Sequence, residues 1–281
     1  MKLHKHLGFT LIELLIYMGI LAVIVAIVFL IIKNEHSVSL TYELSSISAG
    51  GDFTSAAITS LTSRVGSISA GDYYTCAVKN GLVYCWGENN HGQLGDNTNT
   101  HRYTPVQVKG ADGKGYLTNI SQVAAGGYHT CALKTNGTVY CWGLNDFGQL
   151  GDNANTNRYT PVQVKGVGGE GYLTDITQIS AGGYHTCALK TNGAVYCWGN
   201  NSFGQLSDNT DINRYTPVQV KGVDGEGYLT DITQISAGGY HACVLKTDGT
   251  IYCWGDNDYG QLGDNTTTDR HTPVLVKMAE E

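Results

Sequence analysis

The chain has 281 residues, room for one large domain or two small ones, and carries a formal net charge of −7. Only 15% of the residues are charged and Lys and Arg occur singly, which excludes the clustered basic surface that a nucleic-acid binder needs to neutralise phosphates. With 37 Gly against 4 Pro, a Pro-rich disordered linker is excluded as well, and many tight turns are expected.

The first element in chain order is an apolar run over residues 9–32, interrupted only by Thr10, Glu13, Tyr17 and Gly19. About 20 apolar residues cross a bilayer as a helix, so a transmembrane helix is expected over 9–33. Lys2, His4, Lys5 and His6 precede it, a weak bias that places the N-terminus on the cytoplasmic side. A cleaved secretory signal would have a shorter apolar core and small residues at its end, whereas this run ends Phe29-Leu30-Ile31-Ile32. Glu13 is the anomaly, because a carboxylate within a span costs about 2.5–3.5 kcal/mol and is usually paired and functional. The plainer alternative is a Glu that snorkels or stays protonated near the interface.

The string Gly8-Phe9-Thr10-Leu11-Ile12-Glu13 resembles the leader junction of type IV pilins and pseudopilins. That resemblance implies a leader over 1–8, cut by a prepilin peptidase between Gly8 and Phe9, with Phe9 becoming the N-methylated terminus. It also implies that Glu13 neutralises the Phe9 amine of a neighbouring pilin or pseudopilin subunit, a pairing of two charges that would each be costly alone in a low-dielectric bundle. The helix-kinking Pro usual in major pilins is absent, with Leu30 in its place. A minor or specialised pilin is therefore expected, anchored in the inner membrane with everything after Lys33 in the periplasm or outside the cell.

Residues 34–66 read as a linker or as a degenerate repeat. Ile47-Ser48-Ala49-Gly50 with Thr54 and Ala56 parallels Ile68-Ser69-Ala70-Gly71 with Thr75 and Ala77, and both readings stand.

Over 67–277 one unit occurs four times, leaving a short tail over 278–281. Tyr-Cys-Trp-Gly recurs every 56 residues at Cys85, Cys141, Cys197 and Cys253, in step with Pro105, Pro161, Pro217 and Pro273 and with Gln93, Gln149, Gln205 and Gln261. In the second unit, 105–108 reads as a first strand opened by its Pro, 120–125 as a second, 129–134 as a third, and 139–142 as a fourth after an Asn136-Gly137 turn. Four short antiparallel strands per unit describe a propeller blade. The fold expected is therefore all-β, a propeller-like array of four four-stranded blades behind one N-terminal helix. The residues resemble the regulator-of-chromosome-condensation repeat family, which typically closes seven blades. Four units leave a four-bladed ring, an open arc or an incomplete protein. The final strand, 272–276, is left alone in this division, and ring closure by its completing the first blade is one expectation.

The eight cysteines form four pairs: Cys76 with Cys85, Cys131 with Cys141, Cys187 with Cys197, and Cys243 with Cys253. The first pair is one residue closer in sequence, and its turn, Lys79-Asn80-Gly81-Leu82, is one residue shorter. The two changes together keep the cysteines directly opposed on neighbouring strands, within disulfide reach. Four hairpin disulfides, each contributing about 2–3 kcal/mol, are expected, with buried paired thiols as the alternative. Disulfides need an oxidising compartment, in agreement with the exported N-terminus. Zinc is not expected, because each pair lacks two further ligands.

His129, His185 and His241 repeat once per unit and read as structural strand residues. The Asp-Asn loops at Asp96, Asp152, Asp208 and Asp264 lack full calcium-loop spacing and read as turn caps. Arg102, Arg158, Arg214 and Arg270, with Tyr103, Tyr159 and Tyr215, would line one face of a propeller and suit protein or glycan recognition. The alternative is that each Arg holds its own blade's Asp loop. No cofactor and no metal are expected, and repeated positions supply no asymmetric catalytic constellation, so no enzyme activity is expected. The functions that follow are a minor pilin displaying an adhesive or binding module, a structural pseudopilin of a secretion or DNA-uptake machine, or, carried over from the repeat family, a nucleotide exchanger.

Overall fold

The computed structural model describes residues 48–50, 53–55 and 65–278. The expected leader over 1–8 and helix over 9–33, with Gly8, Phe9 and Glu13, lie outside the described residues. Among the described residues no helix is long and apolar enough to cross a membrane. The chain divides into two compact units, 1–62 and 63–281.

In the first unit, β1 (Ser48–Gly50) and β2 (Phe53–Ser55) form an antiparallel pair with Ser48 opposite Ser55 and Ala49 opposite Thr54. Within the later repeats, Ser69 lies opposite Cys76 and Ala70 opposite Thr75, so the hairpin has the register of the inner two strands of a blade.

The second unit is four antiparallel sheets of four consecutive strands each. Blade 1 comprises β3 (Val65–Ala70), β4 (Tyr74–Lys79), β5 (Leu82–Gly87) and β6 (Arg102–Gln107). Blade 2 comprises β7 (Ile120–Ala125), β8 (His129–Lys134), β9 (Val139–Gly143) and β10 (Arg158–Gln163). Blade 3 comprises β11 (Ile176–Ala181), β12 (His185–Lys190), β13 (Val195–Gly199) and β14 (Arg214–Gln219). Blade 4 comprises β15 (Ile232–Ala237), β16 (His241–Lys246), β17 (Ile251–Gly255) and β18 (Arg270–Leu275).

This division corrects the strand order expected from sequence. The Thr-Pro-Val segment is the outer, fourth strand of the preceding blade: Gln107 pairs with Tyr84 and Val106 with Cys85. Likewise the last strand pairs within its own blade, Leu275 with Tyr252 and Val274 with Cys253, so it does not complete the first blade. The physical reason is the loop before each outer strand. In blade 1 the Asn89 amide group donates to the Thr98 and Thr100 carbonyls, and Arg102 holds Asp96, which folds the chain back beside β5. The crossover over 108–119 then carries it to the inner edge of the next blade.

The core lies between blades. Cys76, Val83, Cys85, Leu94 and Val108 of blade 1 pack against Val123, Ala125 and Trp142 of blade 2, and the same arrangement joins blades 2 to 3 and 3 to 4. Each Trp of blades 2 to 4 is fully buried and donates its indole N–H to the Gln carbonyl of the preceding blade, Trp142 to Gln93, Trp198 to Gln149 and Trp254 to Gln205, all at 2.9 Å. The second strands of blades 2 and 3 do not alternate in burial, because a neighbouring blade covers each face. Among the described residues, the outer faces of blades 1 and 4 have no such cover. Ile68 in blade 1 is 68% exposed, whereas its counterparts Val123, Ile179 and Ile235 are 3%, 2% and 4% exposed. The four blades thus form an open arc. The inner-strand ends of all four sheets (from Ala70, Ala125, Ala181 and Ala237) line one opening of about 210 Å³.

All four cysteine pairs are disulfide-bonded across the two middle strands of their blade, with Cα atoms 4.1 Å apart. They are directly opposed in register, Cys76 with Cys85 and Cys131 with Cys141, despite the shorter turn of blade 1.

Candidate functional site

The turn after each first strand and the long loop after each third strand lie at the same end of the blade, because the strands are antiparallel. Backbone bonds tie the two together: the amides of Glu88, Leu144, Asn200 and Asp256 donate to the carbonyls of Tyr73, Tyr128, Tyr184 and Tyr240. The loop face built this way carries every candidate Arg and Tyr.

Each Arg binds the Asp of its own loop, the second of the two arrangements expected. In blade 1, Arg102 Nε and Nη2 both reach Asp96 Oδ2, at 2.7 and 2.6 Å, while Asp96 Oδ1 accepts from the Thr98 amide and hydroxyl and from Asn89. The same ion pair joins Arg158 to Asp152, Arg214 to Asp208 and Arg270 to Asp264. Burial alone would raise the Asp264 carboxyl, but hydrogen bonds from Thr266, Arg270 and Asn257 outweigh it and bring it down to about 2. Asp96 is lowered in the same way by Thr98 and Arg102 against the opposing effect of burial. The Asp-Asn loops are therefore capped, charge-paired turns. Among the described residues, Asp256, Asp258 and Asp269 bring carboxylates within 4.8 Å of one another, but Asp256 caps the Asp258 amide and Asp269 accepts from the Asn257 amide. Asn157 and Asn213 make the second contact in blades 2 and 3, which marks it as part of the loop scaffold.

The candidate tyrosines divide. Tyr159 lies against Gly92 of the preceding blade, so close that a Cβ there would sit 2.3 Å from the ring, and its carbonyl accepts from the Asn97 amide. Tyr215 stands the same way over Gly148, with its carbonyl on the Asn153 amide. Both staple neighbouring blades and are 42% and 39% exposed, whereas Tyr103 is 94% exposed and meets no such neighbour among the described residues.

A second aromatic series was not singled out from the sequence. Tyr73, Tyr128, Tyr184 and Tyr240, one per blade, stand side by side along the rim of the central opening, with successive ring centroids 6.5, 6.1 and 5.9 Å apart. The loop aromatic of each preceding blade meets them edge-on: His91 against Tyr128, Phe147 against Tyr184 and Phe203 against Tyr240, at 5.3–5.5 Å. Burial, and then the facing Tyr240 and Tyr128, raise the Tyr184 hydroxyl above its ordinary value. The signal was present in the sequence, since an aromatic precedes each Gly-Gln-Leu and a Tyr follows each inner-strand Gly pair in units two to four. Edge-to-face and offset rings of this kind offer a rigid apolar surface with hydroxyls at its edge.

Of the three repeated histidines, His129 and His185 are interior and His241, in blade 4, is half-buried. His129 and His185 are fully buried, and burial lowers both from 6.5 to about 3. His129 Nε2 lies 2.8 Å from the Thr186 hydroxyl of the next blade. Tyr74 takes the equivalent place in blade 1, and its hydroxyl donates to the His129 carbonyl.

Residues 36–281 match the family described as RCC1-like domain, and residues 3–29 match the prokaryotic N-terminal methylation motif. The human E3 ubiquitin-protein ligase HERC2 is 33% identical over 202 residues, which are 71% of this chain and 4% of that protein. The ultraviolet-B receptor UVR8 of Arabidopsis thaliana is 32% identical over 201 residues, 72% of this chain and 43% of that protein. The chain thus spans less than half the length of either relative. Among solved structures, human WBSCR16 superposes with a TM-score of 0.67 at 23% identity, over 78% of this chain and 54% of that one. Prp20p of Saccharomyces cerevisiae superposes with a TM-score of 0.63 at 20% identity, over 80% and 53%, and shares the fold.

Proposed function

Because the chain belongs to the RCC1-like domain family and begins with a prokaryotic N-terminal methylation motif, we propose that it is a minor pilin or pseudopilin displaying its blades outside the cytoplasm as a binding module. Prepilin peptidase processes it after Gly8, and Glu13 docks it among other pilin subunits. The blades act by binding rather than by catalysis, since their polar groups recur once per blade and are engaged in holding loops and neighbours.

The observation that carries the binding role is the aromatic rim. Four tyrosines, each from a different blade, form one continuous surface at the loop face, while the arginines are occupied by their aspartates. Adjacent aromatic rings edged by hydroxyls suit the apolar faces and hydroxyls of glycans or the aromatic and Arg side chains of a protein surface. The test is attachment of cells bearing the protein, alongside a glycan array probed with the purified chain, comparing wild type with a Tyr73→Ala, Tyr240→Ala double variant. Loss of attachment or array signal with an unchanged circular-dichroism spectrum is expected. Full attachment by the double variant would remove the rim from the function.

A further inference from the structure

The outer faces of blades 1 and 4 carry the same repeat positions as the two sides of each internal junction. The internal junctions show what each face is built to meet. In the junction between blades 1 and 2, Ser67 and Ser69 hydroxyls accept from the Val123 and Ala125 amides. Between blades 3 and 4, the Gln178 side chain and the Ser180 hydroxyl accept from the Ile235 and Ala237 amides. On blade 4 the equivalents of these acceptors, Gln234 and Ser236, are exposed. On blade 1 the strand that would present the matching amides is the one carrying exposed Ile68.

The same relation holds at the loop face. Gly92, Gly148 and Gly204 each receive an aromatic from the next blade, Tyr159, Tyr215 and His271. Gly260 of blade 4 has only the Thr266 carbonyl near it, at 3.8 Å, while Tyr103 of blade 1, the residue of matching position, projects into solvent. The loop aromatics of blades 1 to 3 meet the rim tyrosine that follows, but Tyr259 is 93% exposed and Tyr73 68%. Blade 4 therefore lacks what blade 1 offers, position by position, and both belong to the same chain.

We infer that blade 1 of one copy docks on blade 4 of a second copy, repeating between chains the junction that joins blades within a chain. The occupant is a second copy because the repeat makes the two faces the same pair of surfaces as each internal junction, and because blades 1 and 4 of one arc do not cover each other. This contact is head-to-tail, and two of them about a twofold axis close a ring of eight blades, within the range propellers adopt.

The test uses the full chain in detergent, with a photo-reactive benzoylphenylalanine in place of Ile68, mixed as heavy-isotope-labelled and unlabelled protein. Cross-links joining residue 68 of one isotope to residues 232–262 of the other are expected. Ser236→Arg, which places a bulky charge on the opposing exposed face, should lower that mixed-isotope yield about tenfold or more. The N-terminal segment is common to both samples, so association through it leaves this site-specific readout unchanged. Cross-links confined to a single isotope, whether to residues 1–62 or to blade 4 of the same chain, would overturn the inference. A yield insensitive to Ser236→Arg would overturn it equally.

Discussion

Lowering the pH from 7 to 5 charges histidines that the folded protein keeps neutral. His129 and His185 are fully buried and held near 3, against 6.5 when solvated. Above 6.5 neither state binds the proton, and stability does not depend on these groups. Below 6.5 the unfolded chain takes up protons that the fold refuses until about pH 3, so stability falls as the solution becomes more acidic. At pH 5 each histidine contributes a loss of about 2 kcal/mol, or about 4 kcal/mol together, out of a total stability of roughly 5–15 kcal/mol. His241, half-buried and lowered mainly by burial, adds to the same slope. The carboxylates act in a lower window: Asp264, held at about 2, keeps its contribution above about pH 4 and loses it only as the pH falls through 2. Urea unfolding of the disulfide-intact protein at pH 7, 6 and 5, repeated on a His129→Gln, His185→Gln variant, isolates the effect. The wild type should lose about 4 kcal/mol more than the variant over this range, while the variant, less stable at pH 7, keeps only the shallower slope that His241 contributes. A wild-type curve as flat as the variant's would refute the reasoning.

Two further outcomes separate parts of the account. Trp198→Ala removes a fully buried ring and its bond to the Gln149 carbonyl, at a cost of about 3–5 kcal/mol, whereas Trp86→Ala, where the ring of blade 1 is only partly buried, should cost about 1–2 kcal/mol in the same denaturation assay. Equal costs would mean that the blade 1 face is covered as fully as the others. Glu13→Ala should leave processing at Gly8 intact and remove the chain from filaments, read by immunoblot of sheared pili. Unchanged incorporation would separate Glu13 from assembly.

Much of this architecture was legible in the sequence because the 56-residue recurrence carries it. The cysteine register followed from comparing one short turn with its longer counterparts, and the bonds Cys76 to Cys85 and Cys131 to Cys141 have that register. A period, however, has no starting point, so the sequence did not reveal which blade owns the strand after each long loop. The owner is decided by Asn89, Asp96 and Arg102, whose side chains turn the loop back on its own blade. Nor does a repeated motif distinguish its members: Tyr103 and Tyr159 share the same Arg-Tyr-Thr-Pro context, yet one is 94% exposed and the other staples two blades. Position within the arc makes that difference, and it is a property of the assembled sheets. The rim tyrosines were missed because each reads as one more residue of a turn, and only the closeness of successive inner strands brings Tyr73 to Tyr240 into one surface.

The central claim is an exported, disulfide-stapled repeat module carried on a processed pilin-type N-terminus. Its most direct test is non-reducing peptide mass spectrometry of the protein recovered from cells that contain a prepilin peptidase. The account predicts an N-terminal peptide that begins at N-methylated Phe9, together with four cysteine-linked peptide pairs that include Cys76–Cys85 and Cys243–Cys253. A chain that begins at Met1 and carries eight free thiols would contradict it.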